Sequence, residues 1–115
     1  MRYVLLAYDT PGVWAHRSDD ARAAWEAEAA AFVGQLTAQG CVVGGEGLAD
    51  ASTATSVRVR EDDVRLSDGP FADTADVLDG FLVIDVPDLD EALEIASRAP
   101  AARVGTVEVR PVRSG

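Results

Sequence analysis

Two stretches of this chain are apolar at every position rather than at alternate ones. They are residues 3–8, Tyr3-Val4-Leu5-Leu6-Ala7-Tyr8, and residues 81–84, Phe81-Leu82-Val83-Ile84. Each is bounded by turn or charged residues and reads as a strand, in which successive side chains point to opposite faces. An antiparallel sheet open to water on one side alternates apolar and polar residues. A strand apolar on both faces therefore demands cover on both, and any fold proposed for the chain has to supply it.

The remaining pattern supplies cover for one face. After the strand over 2–8, Thr10-Pro11-Gly12 breaks the chain into a loop carrying Trp14 and His16. Ser18 then reads as an N-cap, with Asp19 and Asp20 in the first turn, where the helix dipole favours carboxylates. Trp25, Ala29, Phe32 and Leu36 recur at helical spacing and mark one apolar face, and Gly40 is placed to end the helix in a left-handed cap. Cys41-Val42-Val43 is a short strand leading into Gly44-Gly45-Glu46-Gly47. Residues 54–60 alternate, with Val57 and Val59 to one side and Arg58 and Arg60 to the other. Glu61-Asp62-Asp63 turns them into a hairpin with Val64-Arg65-Leu66. The spacing allows a short helix over 73–79, ended by Gly80. Asp88 caps a second main helix, with Glu91 as its capping-box partner and an apolar face of Leu89, Ala92, Leu93 and Ala96, up to Pro100. Residues 106–112 form a last alternating strand, Val107 and Val109 against Glu108 and Arg110.

This order (strand, helix, strand, hairpin, strand, helix, strand) predicts an α+β fold. Its form is a ferredoxin-like split βαβ arrangement, an antiparallel sheet with two main helices on one face. Residues 1–112 are expected to form one domain and 113–115 a tail. Two helices leave the second face bare, and a second copy of the same sheet is the economical cover. The expectation is a homodimer with sheets face to face.

Composition narrows the chemistry. The net charge of −10 argues against nucleic acid and anionic membranes as partners, since both need cationic surface. No apolar run reaches membrane-spanning length, and the first one is too short for a signal peptide, so a cytoplasmic protein is expected. All ten basic residues are arginines. Without lysine there is no Schiff base, no covalently held pyridoxal cofactor and no P-loop. One cysteine, Cys41, and one histidine, His16, build neither a disulfide nor a histidine-rich metal site, and a Ser-His-Asp triad would have to rely on a loop histidine. The expectation is a protein without cofactor or metal.

Asp68-Gly69-Pro70-Phe71-Ala72, Gly80-Phe81, the run from Val86 to Ala92, Ala99-Pro100-Ala101-Ala102 and Val107 to Val112 together resemble the YCII-related family, specifically its DGPF branch. The opening MRYVLLAY and the GEGLA of residues 45–49 fit the same pattern, so the resemblance spans nearly the whole chain. It implies a dimeric α+β barrel, in agreement with the two-faced strands. The branch implies no single activity. Some more distant members are cofactor-free enzymes, including a dehydrochlorinase, that use a His–Asp pair. Where the histidine would stand on the first helix this chain reads Glu26-Ala27-Glu28-Ala29-Ala30, and where the aspartate would stand it reads Arg98-Ala99-Pro100. Both halves are missing, so that mechanism does not carry over. Some members are encoded beside or fused to sigma factors, which implies a regulatory alternative.

The candidate site residues each have two readings. Gly69 and Pro70 are explained by turn geometry, and Asp68 either holds backbone N–H groups of that turn or stands as the catalytic carboxylate at a pocket rim, with Phe71 as its apolar wall. Glu108 and Arg110 share a strand face, either as a surface ion pair or as a ligand anchor, since a guanidinium grips planar anions with paired hydrogen bonds. Tyr8, Asp9 and His16 surround the end of the first strand, where loops often carry function. Glu46 stands among glycines as a turn residue or a ligand contact. Three functions follow. They are a homodimeric small-molecule-binding protein with its pocket near the Asp68–Phe71 loop, a cofactor-free acid–base enzyme (isomerase, lyase or dehydrochlorinase-like) on a small organic acid or aromatic, and a structural or regulatory module.

Overall fold

The computed structural model describes residues 1–113, with Ala15 by its backbone. Strands β1 (Arg2–Asp9), β2 (Val42–Gly47), β5 (Val77–Asp85) and β6 (Thr106–Pro111) form one sheet in the order β2-β5-β1-β6. Every neighbouring pair is antiparallel. Helix α2 (Asp19–Ala38) joins β1 to β2 with β5 between them, and α3 (Leu89–Arg98) joins β5 to β6 with β1 between them. Those two crossovers are the split βαβ arrangement. Strands β3 (Thr55–Arg60) and β4 (Asp63–Asp68) pair only with each other. Short helices α1 (Val13–His16) and α4 (Ala101–Val104) fill parts of the connections.

Both main helices start where capping chemistry places them. The Ser18 hydroxyl accepts the Ala21 N–H at 3.1 Å, and the Asp88 carboxylate accepts the Glu91 N–H at 2.9 Å. Gly40 ends the first helix at φ 77°, the left-handed region that favours glycine. Replacing Asp88 by Ala is expected to cost about 1 kcal/mol. Thermal denaturation should then show Tm lowered by about 5 °C.

The core lies between the sheet and the helices. Tyr3 and Leu5 of β1, Ile84 and Val86 around β5, Leu36 of α2, and Ala92, Ile95 and Ala96 of α3 are buried together. Leu89 and Leu93, expected on the buried face of α3, are exposed, and Ile95 fills the place instead. The ladder between β1 and β5 pairs Tyr3 with Ile84 and Leu5 with Leu82 on this side. The alternate pairs, Val4 with Val83 and Leu6 with Phe81, lie on the other side, and no helix among the described residues covers them. The two-faced pattern of the sequence thus corresponds to one face packed within the chain and one left open.

The helix expected over 73–79 does not form. Residues 73–76 are irregular, and Val77 to Asp79 extend β5. The reason is non-local pairing. The Asp79 carbonyl accepts the Leu48 N–H at 2.8 Å, while Val77 and Leu78 lie opposite Asp9 and Tyr8. No helix among the described residues is long and apolar enough to cross a membrane.

Candidate functional site

The apolar stripe of α2 divides along its length. Leu36 is fully buried in the core, while Trp25, Ala29 and Phe32 of the same stripe are half-buried and wall a cavity of about 460 Å³, Phe32 also packing against the core. Leu5, Leu82 and Val107 floor it, and Ala99 to Ala101 close one end. That volume is within the range of small-molecule pockets. Its walls are mostly apolar, so water gains little there and a ring-shaped organic molecule gains much.

Two carboxylates interrupt this lining, Glu46 from β2 and Asp79 from β5. Between β1 and β5 the register slips. Ala7 pairs with Gly80 and Tyr8 with Leu78, which leaves Asp79 as an extra residue with no partner on β1. Such a bulge re-aims a side chain without ending the strand. Asp79 lines both the main cavity and a small adjoining one of about 40 Å³, and so stands at the mouth where the two meet. Partial burial holds its carboxyl above the ordinary carboxylate value, and the negative charge of Asp9 pushes the same way. Arg17 opposes the rise, and Asp50 adds weakly to it. Asp50 itself is held low by hydrogen bonds from the Ser52 hydroxyl and backbone N–H.

The mouth is aromatic as well as charged. The Arg17 guanidinium carbon lies 4.7 Å from the Trp25 ring centre and 5.8 Å from that of Trp14, distances suited to cation–π attraction. Asp9, Asp50, Asp79 and Arg17 all border the small cavity, so carboxylates outnumber the cation three to one. Among the described residues, no three His, Cys, Asp or Glu side chains stand close enough to share a metal ion.

The residues singled out from the sequence fall in three places. Asp9 lies at the mouth. Tyr8, Glu46, Glu108 and Arg110 are in register with Leu78, Phe81, Leu6 and Val4, which places them on the open face of the sheet. Glu46 also borders the cavity from β2. Glu108 and Arg110 approach each other to 3.7 Å, an exposed pair worth little in stability. Asp68 and Phe71 lie at the base of the β3–β4 hairpin and border neither cavity. There Gly69, at φ 92°, donates its N–H to the Ala54 carbonyl at 2.7 Å and accepts the Ser56 hydroxyl at 2.9 Å, which closes the loop. Phe71 lies under Arg58, whose guanidinium carbon is 5.2 Å from the ring centre. His16 is exposed and borders neither cavity.

Asp79 is the residue that sequence reasoning missed. Asp-Gly at 79–80 looks like the end of a local element. The available signal was a glycine directly before four apolar strand residues, which often marks a bulge or a close backbone approach. Gly80 serves the second purpose, since a Cβ there would lie 3.1 Å from the Glu46 carbonyl oxygen.

A family model described as the YCII-related domain matches residues 1–114. An uncharacterised protein of Rhizobium meliloti (strain 1021) is 39% identical over 67 residues, which cover 56% of this chain and 54% of the relative, so the match spans about half of that protein. Among solved structures, 5-chloro-2-hydroxyhydroquinone dehydrochlorinase from Burkholderia phenoliruptrix AC1100, in complex with 2,5-dihydroxybenzoquinone, superposes with a TM-score of 0.59. That likeness covers 100% of this chain and 96% of the other at 18% identity, and it carries the fold.

Proposed function

Because the chain belongs to the YCII-related family, we propose that it uses the helix-backed side of this α+β sheet to bind a small, uncharged organic ring, with Asp79 as the polar contact. The observation that carries the reading is the apolar cavity of about 460 Å³ with Asp79 turned to its mouth by a bulge. Three carboxylates against one guanidinium make the mouth repel anions, so hydroxyl donors suit it better than the carboxylates of an organic acid. The dehydrochlorinase that shares the fold acts on a hydroxylated ring, which makes such rings the first probes to try.

A second reading, acid–base catalysis, is favoured by the raised carboxyl. A carboxyl held above its ordinary value is a stronger base once ionised, and Asp79 has this property where Asp68 lies away from the cavity. In this reading Asp79 takes a proton from a ring hydroxyl or ring carbon, and Arg17 and Trp25 hold the charge and plane of the bound molecule.

The open face of the sheet pairs with a second copy of the chain. Val4, Leu6, Phe81 and Val83 form its apolar centre, and Tyr8, Glu46, Glu108 and Arg110 surround them. This arrangement gives those four side chains a role at the interface between copies.

The experiment for the cavity compares hydroquinone, catechol and benzoate by thermal shift and calorimetry, on wild type and on Ala29→Trp. The uncharged rings should stabilise wild type by about 2.7 kcal/mol at a hundredfold excess over Kd. They should lose this effect when the indole fills the space beside Phe32. Equal stabilisation of both proteins, or preference for benzoate, would place the ligand elsewhere.

A further inference from the structure

The β3–β4 hairpin is built as though something lay on it. Val57 pairs with Leu66 and Val59 with Val64 across the ladder, so the four side chains share one face. They are 61%, 67%, 55% and 62% exposed. The other face is polar, with Arg58 opposite Arg65 and Arg60 opposite Asp63. Every residue from Val57 to Asp68 is exposed, and the hairpin makes no ladder with the main sheet. An isolated two-stranded ribbon is marginally stable in water and gains independent stability only by packing. This one has a sorted apolar face and, among the described residues, nothing that covers it.

The dimensions of the chain agree. Its radius of gyration is 16.0 Å, with extents of 46 × 44 × 20 Å. A compact chain of this length would have a radius of gyration of about 13 Å. The excess belongs to a flat body with a projecting ribbon.

We propose that the hairpin is an arm whose apolar face lies on a second copy of this chain, reciprocally across a two-fold axis. The inference rests on the sheet-to-sheet pairing described above, and the area each copy offers supports it. Four strands about 4.8 Å apart and about 20 Å long present a face of about 400 Å². A stable interface takes about 800 Å² from each partner. A two-stranded arm adds about 200 Å² and receiving the partner's arm adds about as much again, which brings the total to that figure. Sheet contact alone falls short by about half. The turn between the strands also suits an arm. Glu61 and Asp62 both have positive φ, 52° and 66°, the type I′ geometry whose twist matches a hairpin. Their carboxylates keep the tip in water.

The test uses sedimentation equilibrium and amide hydrogen exchange on wild type and on the quadruple variant Val57→Ser, Val59→Ser, Val64→Ser and Leu66→Ser. All four sites are exposed in the single chain, so the substitutions leave its core intact. Wild type should sediment as a dimer with protected ladder amides in β3 and β4, and that protection should fall on dilution. The variant should raise the dimer Kd at least about 100-fold. A wild-type dimer whose arm amides exchange freely and whose Kd is unchanged in the variant would overturn the arm and leave the sheet pairing standing. A wild-type monomer would overturn both. Arm amides protected in a monomer would show the hairpin folding onto its own chain and would overturn the proposal.

Discussion

Gly105→Ala should lower Tm by about 10–20 °C, a loss of about 3 kcal/mol, because there is no room for a single added carbon. A Cβ at position 105 would lie 2.1 Å from the Tyr8 carbonyl oxygen and 3.2 Å from its carbon. Both obstacles are backbone atoms, so no side-chain rotation relieves the clash. The residue leads into β6, whose first pair, Thr106 with Tyr8, would be pushed out of the ladder. Gly45 is a second position of the same kind, where a Cβ would lie 2.4 Å from the Phe81 carbonyl oxygen, whereas Gly44 beside it has nothing within 4 Å. Gly44→Ala should therefore change stability by only about 0.5 kcal/mol. Thermal or urea denaturation of the Gly105 and Gly44 alanine variants checks the contrast. A Gly105→Ala protein that melts within a few degrees of wild type would show that β6 shifts freely against β1.

Asp79→Asn should weaken binding of a hydroxylated ring by about 10–100-fold, the worth of one charge-assisted hydrogen bond. Asp68→Asn should leave binding unchanged. The same Asp79 substitution should stabilise the free protein at neutral pH, since it removes a carboxylate that partial burial and Asp9 both disfavour. The sign follows from proton binding. The carboxyl is raised above its ordinary value of 3.8, so between that value and the folded one the native state holds more protons than the unfolded state. Stability contributed by this group is thus present at low pH and falls as pH rises through that window. In Asp79→Asn this fall is absent. The Tm difference between variant and wild type should be near zero at about pH 3, widen in favour of asparagine through the window, and then level off. A variant that is less stable than wild type at neutral pH would mean that Asp79 is held by a favourable partner and has no surplus of charge to relieve. Opposite signs in binding and stability are the mark of a group retained for function.

Much of the fold is legible in the sequence because its signals are local. Ser18, Gly40 and Asp88 fix helix ends through bonds to residues three positions away. At Asp88 only its own carboxylate bonds, to the Glu91 N–H, and among the described residues the Glu91 side chain of the expected capping box makes no return bond. The continuous apolarity of residues 3–8 and 81–84 points to a sheet with two demanding faces, and the structure has one face filled and one bare. The candidate site is less legible. Trp25, Ala29 and Phe32 follow the same spacing as Leu36, so periodicity cannot separate a cavity wall from a packed core. Asp79 acquires its character from partial burial, from Asp9, Arg17 and Asp50, which are distant in the chain, and from a one-residue slip that no local pattern announces. Asp68 and Phe71 drew attention as a distinctive motif, yet their visible work is to close the base of a hairpin.

The bulge at Asp79 also bears on how such a site arises and is lost. Ala7 faces Gly80 and Tyr8 faces Leu78, so the strand is in step on both sides of the extra residue. Deleting that one codon would bring β1 and β5 into regular pairing and remove the carboxylate in a single event, at the cost of the Leu48 N–H bond to the Asp79 carbonyl. Inserting a codon would do the reverse. The acidic group is therefore modular in the genetic sense. In this chain a one-residue change decides whether the carboxylate is present, while Ala7–Gly80 and Tyr8–Leu78 keep their pairing.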